Sequence, residues 1–350
     1  MKPIIAPVDR SLLKSELTDE RFVRPSNKAG NKIYDITAAN APNVMREIGR
    51  LRELSFRTGG GGTGEEIDID RFDTDEPYHQ LIVWDPDNEQ IIGGYRYIFG
   101  NEAHLLDNGQ PDIVSTHMFD FTPAYMADYM PYTIELGRAF VQPIYQTIQM
   151  GLKSLFSLDN IWDGIGALMV NNPDMRYMMG KVTIYPQYNA LARDLVYAYL
   201  YRFFPDPDRI ILPRNPLNIS REAEQAADEL FDMQADKKAN YKLLQKRVRS
   251  LGETVPALFN AYIGLTDTMR TFGTGINDEF GDIYDTGIMI TINDLFEEKR
   301  NRYILPYVDY LRILIETRRQ SRNRGRRAAL KDYRSKKRGS SSKKSTTDRQ

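Results

Sequence analysis

Four short segments hold the ionisable residues whose types and spacing could carry chemistry. They are Arg52-Glu53-Leu54-Ser55-Phe56, Asp70-Arg71-Phe72-Asp73, Gly93-Gly94-Tyr95-Arg96 and Glu135-Leu136-Gly137-Arg138. Each alone is compatible with a solvated charged face. Carboxylates can move protons and guanidinium groups can hold anions, so the set offers acid–base and anion-binding chemistry. Other chemistries are removed by composition. There is no cysteine, which excludes a disulfide framework, a thiolate zinc site and a Cys nucleophile. The three histidines, His79, His104 and His117, form no HExxH pattern, so a zincin site is excluded and no metal ligand set is expected.

The elements that must position these residues can be read from periodicity. Val44, Met45, Ile48 and Leu51 recur at helical spacing after Asn40-Ala41-Pro42, predicting a helix over 43–56. Gly59 to Gly64 reads GGGGTG and lacks the Gly-Lys-Ser/Thr ending of a phosphate-binding loop. It is a mobile connection or a lid over a pocket. Leu81 to Trp84, the turn residues 85–88 and Gln90 to Phe99 predict a hairpin. Tyr132 to Val141 reads as a strand ended by Pro143. A helix over 161–170, a strand over 181–185 and an amphipathic helix over 187–204 follow. Residues 220–250 read as one charged helix, 253–296 as mixed and glycine-bearing, and 303–315 as an apolar helix. This order predicts a mixed α/β sheet flanked by helices, with a C-terminal helical extension and a basic tail.

The chain's net charge of −1 hides an asymmetry. Residues 318–350 carry fourteen Lys/Arg and two Asp/Glu, a net of +12, which leaves −13 on the rest. The tail is a solvated disordered segment, an anionic-membrane ligand or an RNA ligand, and no RRM, KH or helix-turn-helix pattern supports nucleic acid. The expected organisation is an arm at 1–30, a core at 31–250, an extension at 251–317 packing on the core, and the tail at 318–350. No signal-peptide core and no run of about 20 apolar residues occurs, so the expected location is the cytoplasm, with the tail offering attachment to the inner face of the membrane.

In this order the four segments resemble the GNAT-fold acyltransferases of the ornithine-lipid and "hemolysin-like" group, relatives of the acyl-homoserine-lactone synthases. The matching residues are Arg52 and Phe56 in Arg-x-x-x-Phe, Asp70 and Asp73 in Asp-x-x-Asp, Gly94-Tyr95-Arg96, and Glu135 to Arg138. The resemblance covers about 35–205. Val255-Pro256-Ala257-Leu258-Phe259, Phe272-Gly273-Thr274-Gly275 and Phe280-Gly281-Asp282 look like the lipid-forming, Bacteroidetes-like branch. A glycine-rich stretch stands where the lactone synthases carry a tryptophan, which disfavours lactone synthesis. Gln142-Pro143-Ile144-Tyr145-Gln146 also departs from the pyrophosphate loop of CoA-dependent relatives. Gly164 and Gly166 either let a helix approach a phosphopantetheine phosphate or serve close helix packing.

The resemblance implies transfer of a (3-hydroxy) fatty acyl group from acyl-carrier protein to the α-amine of a small amino acid, ornithine or glycine. No bound cofactor is implied; the acyl-phosphopantetheine of the carrier is the donor substrate. Amide formation needs an amine that sheds a proton, fixed donors for an oxyanion and an apolar tunnel. Glu135 is the candidate catalytic base, or it pairs with Arg138 or Arg96 and holds the strands. Asp70, Asp73, Arg96 and Arg138 form the electrostatic network. Ala139, Phe140 and Val141 would present donors to the thioester, and Arg52 and Phe56 would face the acceptor. The product would pass to a second O-acyltransferase. The rival readings are a lactone-type synthase, and a membrane- or RNA-binding protein with an inactive GNAT core.

Overall fold

The computed structural model describes residues 1–75, 78–278 and 281–320. Phe280 of the third late motif and all but the first three residues of the basic tail lie outside them. The chain divides into a unit spanning Met1–Ile304 and a second beginning at Leu305, whose described part, 305–320, is helical.

The strands of the first unit are β1 (Phe22–Pro25), β2 (Lys32–Ile36), β3 (His79–Asp85), β4 (Gln90–Phe99), β5 (Phe119–Phe121), β6 (Thr133–Val141), β7 (Tyr177–Ile184), β8 (Ile211–Pro213), β9 (Arg270–Asn277) and β10 (Ile283–Thr291). The helices begin with α1 (Arg10–Glu16), α2 (Pro42–Thr58), α3 (Arg71–Thr74), α4 (Pro123–Asp128), α5 (Leu152–Leu155) and α6 (Ser157–Asn171). They continue with α7 (Ala190–Phe203), α8 (Arg221–Leu230), α9 (Lys237–Ser250), α10 (Ala257–Ile263) and α11 (Glu297–Lys299).

Eight strands form one sheet in the order β1-β2-β3-β4-β6-β7-β10-β9, and β5 pairs with β8 apart from it. All pairs in the large sheet are antiparallel except β6 with β7. Alternation along the strands divides side chains between two faces. Leu81 and Val83 of β3, with Ile92 of β4, join the core under α6 and α7. Ile82 and Trp84, with Ile91 and Phe140, join the core under α2. A third cluster gathers Ile98, Met179, Phe272 and Met289 under the 113–130 segment.

Several expectations are corrected. The charged stretch 220–250 is two helices, because the chain turns at Phe231 and Asp236 caps α9 by accepting from the Ala239 amide. The 251–317 stretch, expected outside the core, supplies β9 and β10 to the central sheet. The arm at 1–30 holds α1 and β1, and its Lys2 and Ile5 amides donate to the carbonyls of Gly64 and Glu66. Gly164 and Gly166 serve packing: a Cβ would lie 2.7 Å from Leu81 Cδ2 at the first and 2.3 Å from the Tyr303 carbonyl oxygen at the second. Among the described residues no helix is long and apolar enough to cross a membrane.

Candidate active site

The sheet opens at β6. This strand pairs in parallel with β7 only from Thr133 to Leu136, against Tyr177 to Gly180. Beyond that, β7 continues alongside β10 and β6 alongside β4 to Val141. The edge of β6 from Gly137 to Val141 is thus left without a strand on its β7 side, among the described residues. A bulge sits at the same place. Gly94 faces Phe140 but Arg96 faces Gly137, so β6 carries one extra residue there. Arg138 lies in the bulge with φ +49°, a left-handed conformation that bulky residues adopt only under constraint.

The constraint is visible in the partners of Arg138. Its Nε lies 3.0 Å from Asp68 Oδ2 and its Nη2 lies 3.5 Å from Asp70 Oδ2. Asp70 and Asp73 form a capping box on α3: Asp70 accepts from the Phe72 amide at 2.9 Å and Asp73 from the Asp70 amide at 3.1 Å. Arg96 Nη1 donates to Asp70 Oδ1 and lies 3.0 Å from Asp73 Oδ2. Arg52 Nη1 donates to Asp73 Oδ1 at 2.8 Å, and Gln80 Nε2 donates to the same oxygen at 3.0 Å. Three guanidinium groups therefore interlock with three carboxylates. Burial raises the Asp73 carboxyl, but Arg52 and Arg96 outweigh it and hold the pKa well below the usual range. Burial opposes the charge on Arg96, and Asp73 and Asp70 more than restore it. Asp68 shows the reverse balance: burial wins over Arg138, Arg52 and Arg96, and its pKa is raised.

The outer side of this network lines a cleft of about 310 Å³, which also takes in Thr63, His117, Lys181 and Asn277. Lys181, the first residue of β7 past the point of divergence, has its pKa lowered by burial, with Asp285 and Glu135 acting against that shift. Thr63 belongs to the glycine run. Glu53 fastens that run by accepting from the Thr63 amide and hydroxyl and from the Gly64 amide. The expected mobile connection or lid is a loop tied to α2.

Glu135 is placed differently. Its carboxylate is 5% exposed and accepts three hydrogen bonds, from Tyr78 Oη at 2.6 Å, the Ser115 amide at 3.0 Å and Ser115 Oγ at 2.5 Å. Burial, then the Glu135 charge, pushes the Tyr78 hydroxyl well above its ordinary pKa. The Glu135 carboxylate thus joins β6 to the 114–117 turn and does not pair with Arg138 or Arg96.

This cleft lies at the fork of two parallel strands, beside the network of paired guanidinium and carboxylate groups. The Acetyltransferase (GNAT) domain family matches residues 51–154, the span that contains the C-terminal half of α2, the network and β6. A glycine N(alpha)-acyltransferase of Phocaeicola vulgatus is 47% identical over 309 residues, covering 88% of this chain and 94% of that protein. The chain belongs to this acyltransferase family. A second member, the glycine N(alpha)-acyltransferase of Bacteroides thetaiotaomicron, is 48% identical over 310 residues, covering 88% of this chain and 91% of its own. The acyltransferase also overlaps FeeM, an N-acyl amino acid synthase from uncultured soil microbes, with TM-score 0.37 and 10% identity over 81% of this chain and 100% of that one. Likeness at that level is too loose to carry residue correspondence.

Of the residues singled out in the sequence, the acyltransferase brings Arg52, Asp70, Asp73, Arg96 and Arg138 into one network. Only Asp70 and Arg138 of these reach the cleft. Arg52, expected on the acceptor side, has its side chain wholly buried on Asp73 and Gln80. Phe56 is half-buried and packs with the core under α2. Ala139, Phe140 and Val141 lie on the half of β6 that pairs with β4 and has no strand on its β7 side. Sequence reasoning missed Asp68, His117, Lys181 and Asn277. Asp68 stands two residues before Asp70, a spacing that could have drawn it in, and His117 is one of three histidines. Lys181 and Asn277 carry no sequence signal.

Proposed function

We propose that this acyltransferase moves a fatty acyl group, 3-hydroxylated, from the phosphopantetheine thioester of acyl-carrier protein to the α-amine of glycine. The carrying observation is the fork between β6 and β7, where the free edge of β6 meets a cleft holding Arg138 and Lys181 beside Asp68 and Asp70. The amine nitrogen attacks the thioester carbon, the C–N bond forms, the C–S bond breaks and the thiolate leaves on the carrier. Those backbone N–H groups of Ala139 to Val141 that point away from β4 suit the developing oxyanion. Arg138 and Lys181 suit the acceptor's carboxylate, which stays ionised throughout. Glycine is favoured over ornithine by the names of the two relatives. Carrier-bound donor is favoured over CoA because Val141 runs into Pro143–Gln146, a tight turn with no glycine-rich cradle for a pyrophosphate. The N-acyl amino acid would serve a later O-acylation as a hydroxylated acceptor.

The test supplies the full chain with a 3-hydroxyacyl thioester on carrier protein or on CoA, and with glycine, ornithine, serine or alanine. Product is read by mass spectrometry. The expected result is N-acylglycine, with carrier preferred over CoA by about tenfold or more in kcat/KM. Amide on ornithine alone would overturn the acceptor assignment, and equal use of CoA would overturn the donor assignment.

A further inference from the structure

The amide-forming reading needs a group that takes the amine's proton, and the Glu135 carboxylate is already occupied by Tyr78 and Ser115. Two unassigned side chains at the cleft supply one. We propose that His117 Nε2 and Asn277 Oδ1 form an acceptor pair that receives the attacking amine, with His117 as the general base; this rests on the amide-forming reading of the same cleft.

His117 Nδ1 lies 2.5 Å from the Val114 carbonyl oxygen, which can only accept, so Nδ1 carries the hydrogen. With the ring neutral, Nε2 presents a lone pair; only the imidazolium donates from Nε2 to Asn277 Oδ1. Asn277 Nδ2 donates to Asp285 Oδ2 at 3.0 Å, and the carboxylate can only accept, so the orientation of the amide is fixed by its partner. Asn277 Oδ1 therefore faces His117 Nε2, at 3.3 Å. In the neutral form of the histidine two lone-pair groups face each other, and both line the cleft. A primary amine is the chemical complement: one N–H can point at each. Arg138 and Lys181, on the same cleft, suit the carboxylate at the other end of an amino acid.

The pair is held in place from both sides. Asp285 also accepts from Thr183 Oγ1, and Lys181 Nζ lies 3.6 Å from its Oδ2. Ser115, two residues before His117, is clamped through its amide and hydroxyl by Glu135. Glu135 is then a positioning residue for the histidine turn. As the C–N bond forms, the surplus proton on nitrogen passes to Nε2, and Asn277 Oδ1 accepts from the N–H that remains. When the C–S bond breaks, the imidazolium returns that proton to the leaving thiolate. Atoms and charge balance with no further reactant.

The experiment measures amide formation from carrier-bound donor and glycine by wild type, His117→Gln, His117→Gly and Asn277→Ala. We expect the His117 variants to lose about a hundredfold or more in kcat, with the donor KM within about threefold of wild type. Imidazole should restore turnover to His117→Gly, and substituted imidazoles should restore it in order of their basicity, which filling a cavity would not do. Asn277→Ala should raise the glycine KM and leave the donor KM. A second measurement needs no variant: diethyl pyrocarbonate on wild type should abolish turnover as it modifies His117, with glycine protecting. His117→Gln keeping more than about a third of wild-type kcat, rescue indifferent to imidazole basicity, or full turnover with His117 modified would overturn the inference alone. Wild type forming no amide with any amine would overturn it together with the amide-forming reading.

Discussion

At the scale of single residues, Glu135 decides between two accounts of the site. If it were the base, removing its charge would abolish turnover. Its three donors argue for a clamp. In Glu135→Gln the amide oxygen still accepts from Ser115, and the new NH₂ can donate to Tyr78 Oη, which already accepts from the Val114 amide at 3.0 Å. We expect Glu135→Gln to retain kcat within about tenfold of wild type, while Glu135→Ala leaves buried donors unmet at about 1–3 kcal/mol each and loses far more. Steady-state kinetics on both variants, with thermal unfolding beside them, separates the accounts. Arg52 makes the complementary case. Its buried ion pair with Asp73 has no part in the cleft, so Arg52→Ala should act on stability. Leaving Asp73 with one fewer partner in the interior should cost about 3–5 kcal/mol, read as a lower denaturation midpoint. A raised glycine KM at unchanged stability would contradict that placement. Arg138→Lys should do the opposite: the fold persists, but an ammonium cannot span Asp68 and Asp70 as a guanidinium does, and the glycine KM should rise about tenfold.

At the scale of elements, the fork depends on how closely β4 and β6 approach. A Cβ on Gly93 would lie 2.2 Å from the Phe140 carbonyl oxygen, which is backbone and cannot step aside. Gly93→Ala should therefore push the free half of β6 away, costing about 1–3 kcal/mol of stability and a larger share of kcat. Helix α6 offers a pH test. Asp163 is buried and accepts from the Asn27 amide at 2.8 Å. Burial, partly opposed by that bond and by Arg24, raises its pKa from 3.8 to about 6. The fold thus prefers the protonated form. Its contribution is fully present below the unfolded value and is lost as pH rises through about 6, amounting to about 3 kcal/mol at neutral pH. The stability difference between wild type and Asp163→Asn should slope between pH 4 and pH 6 and be flat above, in denaturant titrations at each pH.

Much at this scale was legible in the sequence. The hairpin of β3 and β4, the strand β6 and helices α2 and α7 follow apolar periodicity, because each packs an apolar face on the sheet. The strands β9 and β10 did not declare themselves. Gly273, Gly275 and Gly287 interrupt their pattern, and these glycines lie against Pro213, Met118 and Phe119, contacts that only the tertiary fold creates. The site divides the same way. Local spacing marked the Arg and Asp network, whereas His117 meets Asn277 across 160 residues of chain, where the 114–117 turn packs beside β9.

At the scale of the whole molecule, charge is the remaining argument. The body before residue 318 carries −13 and residues 318–350 carry +12. A body of that charge is repelled by an anionic bilayer, so any attachment must come through the basic segment. Each basic residue near such a surface contributes about 1 kcal/mol, and the effect fades within a Debye length of about 10 Å at 0.1 M salt. Flotation with vesicles containing anionic lipid should therefore carry the full chain at low salt and release it at about 0.5 M. The chain cut before Arg318 should stay with the soluble fraction at every salt concentration, not float more weakly. Turnover of the shortened chain on carrier-bound donor in solution should match wild type, because the cleft residues all precede the cut. Equal flotation of the two chains would place attachment elsewhere on the molecule, and protection of the tail by RNA but not by vesicles would assign those charges to nucleic acid.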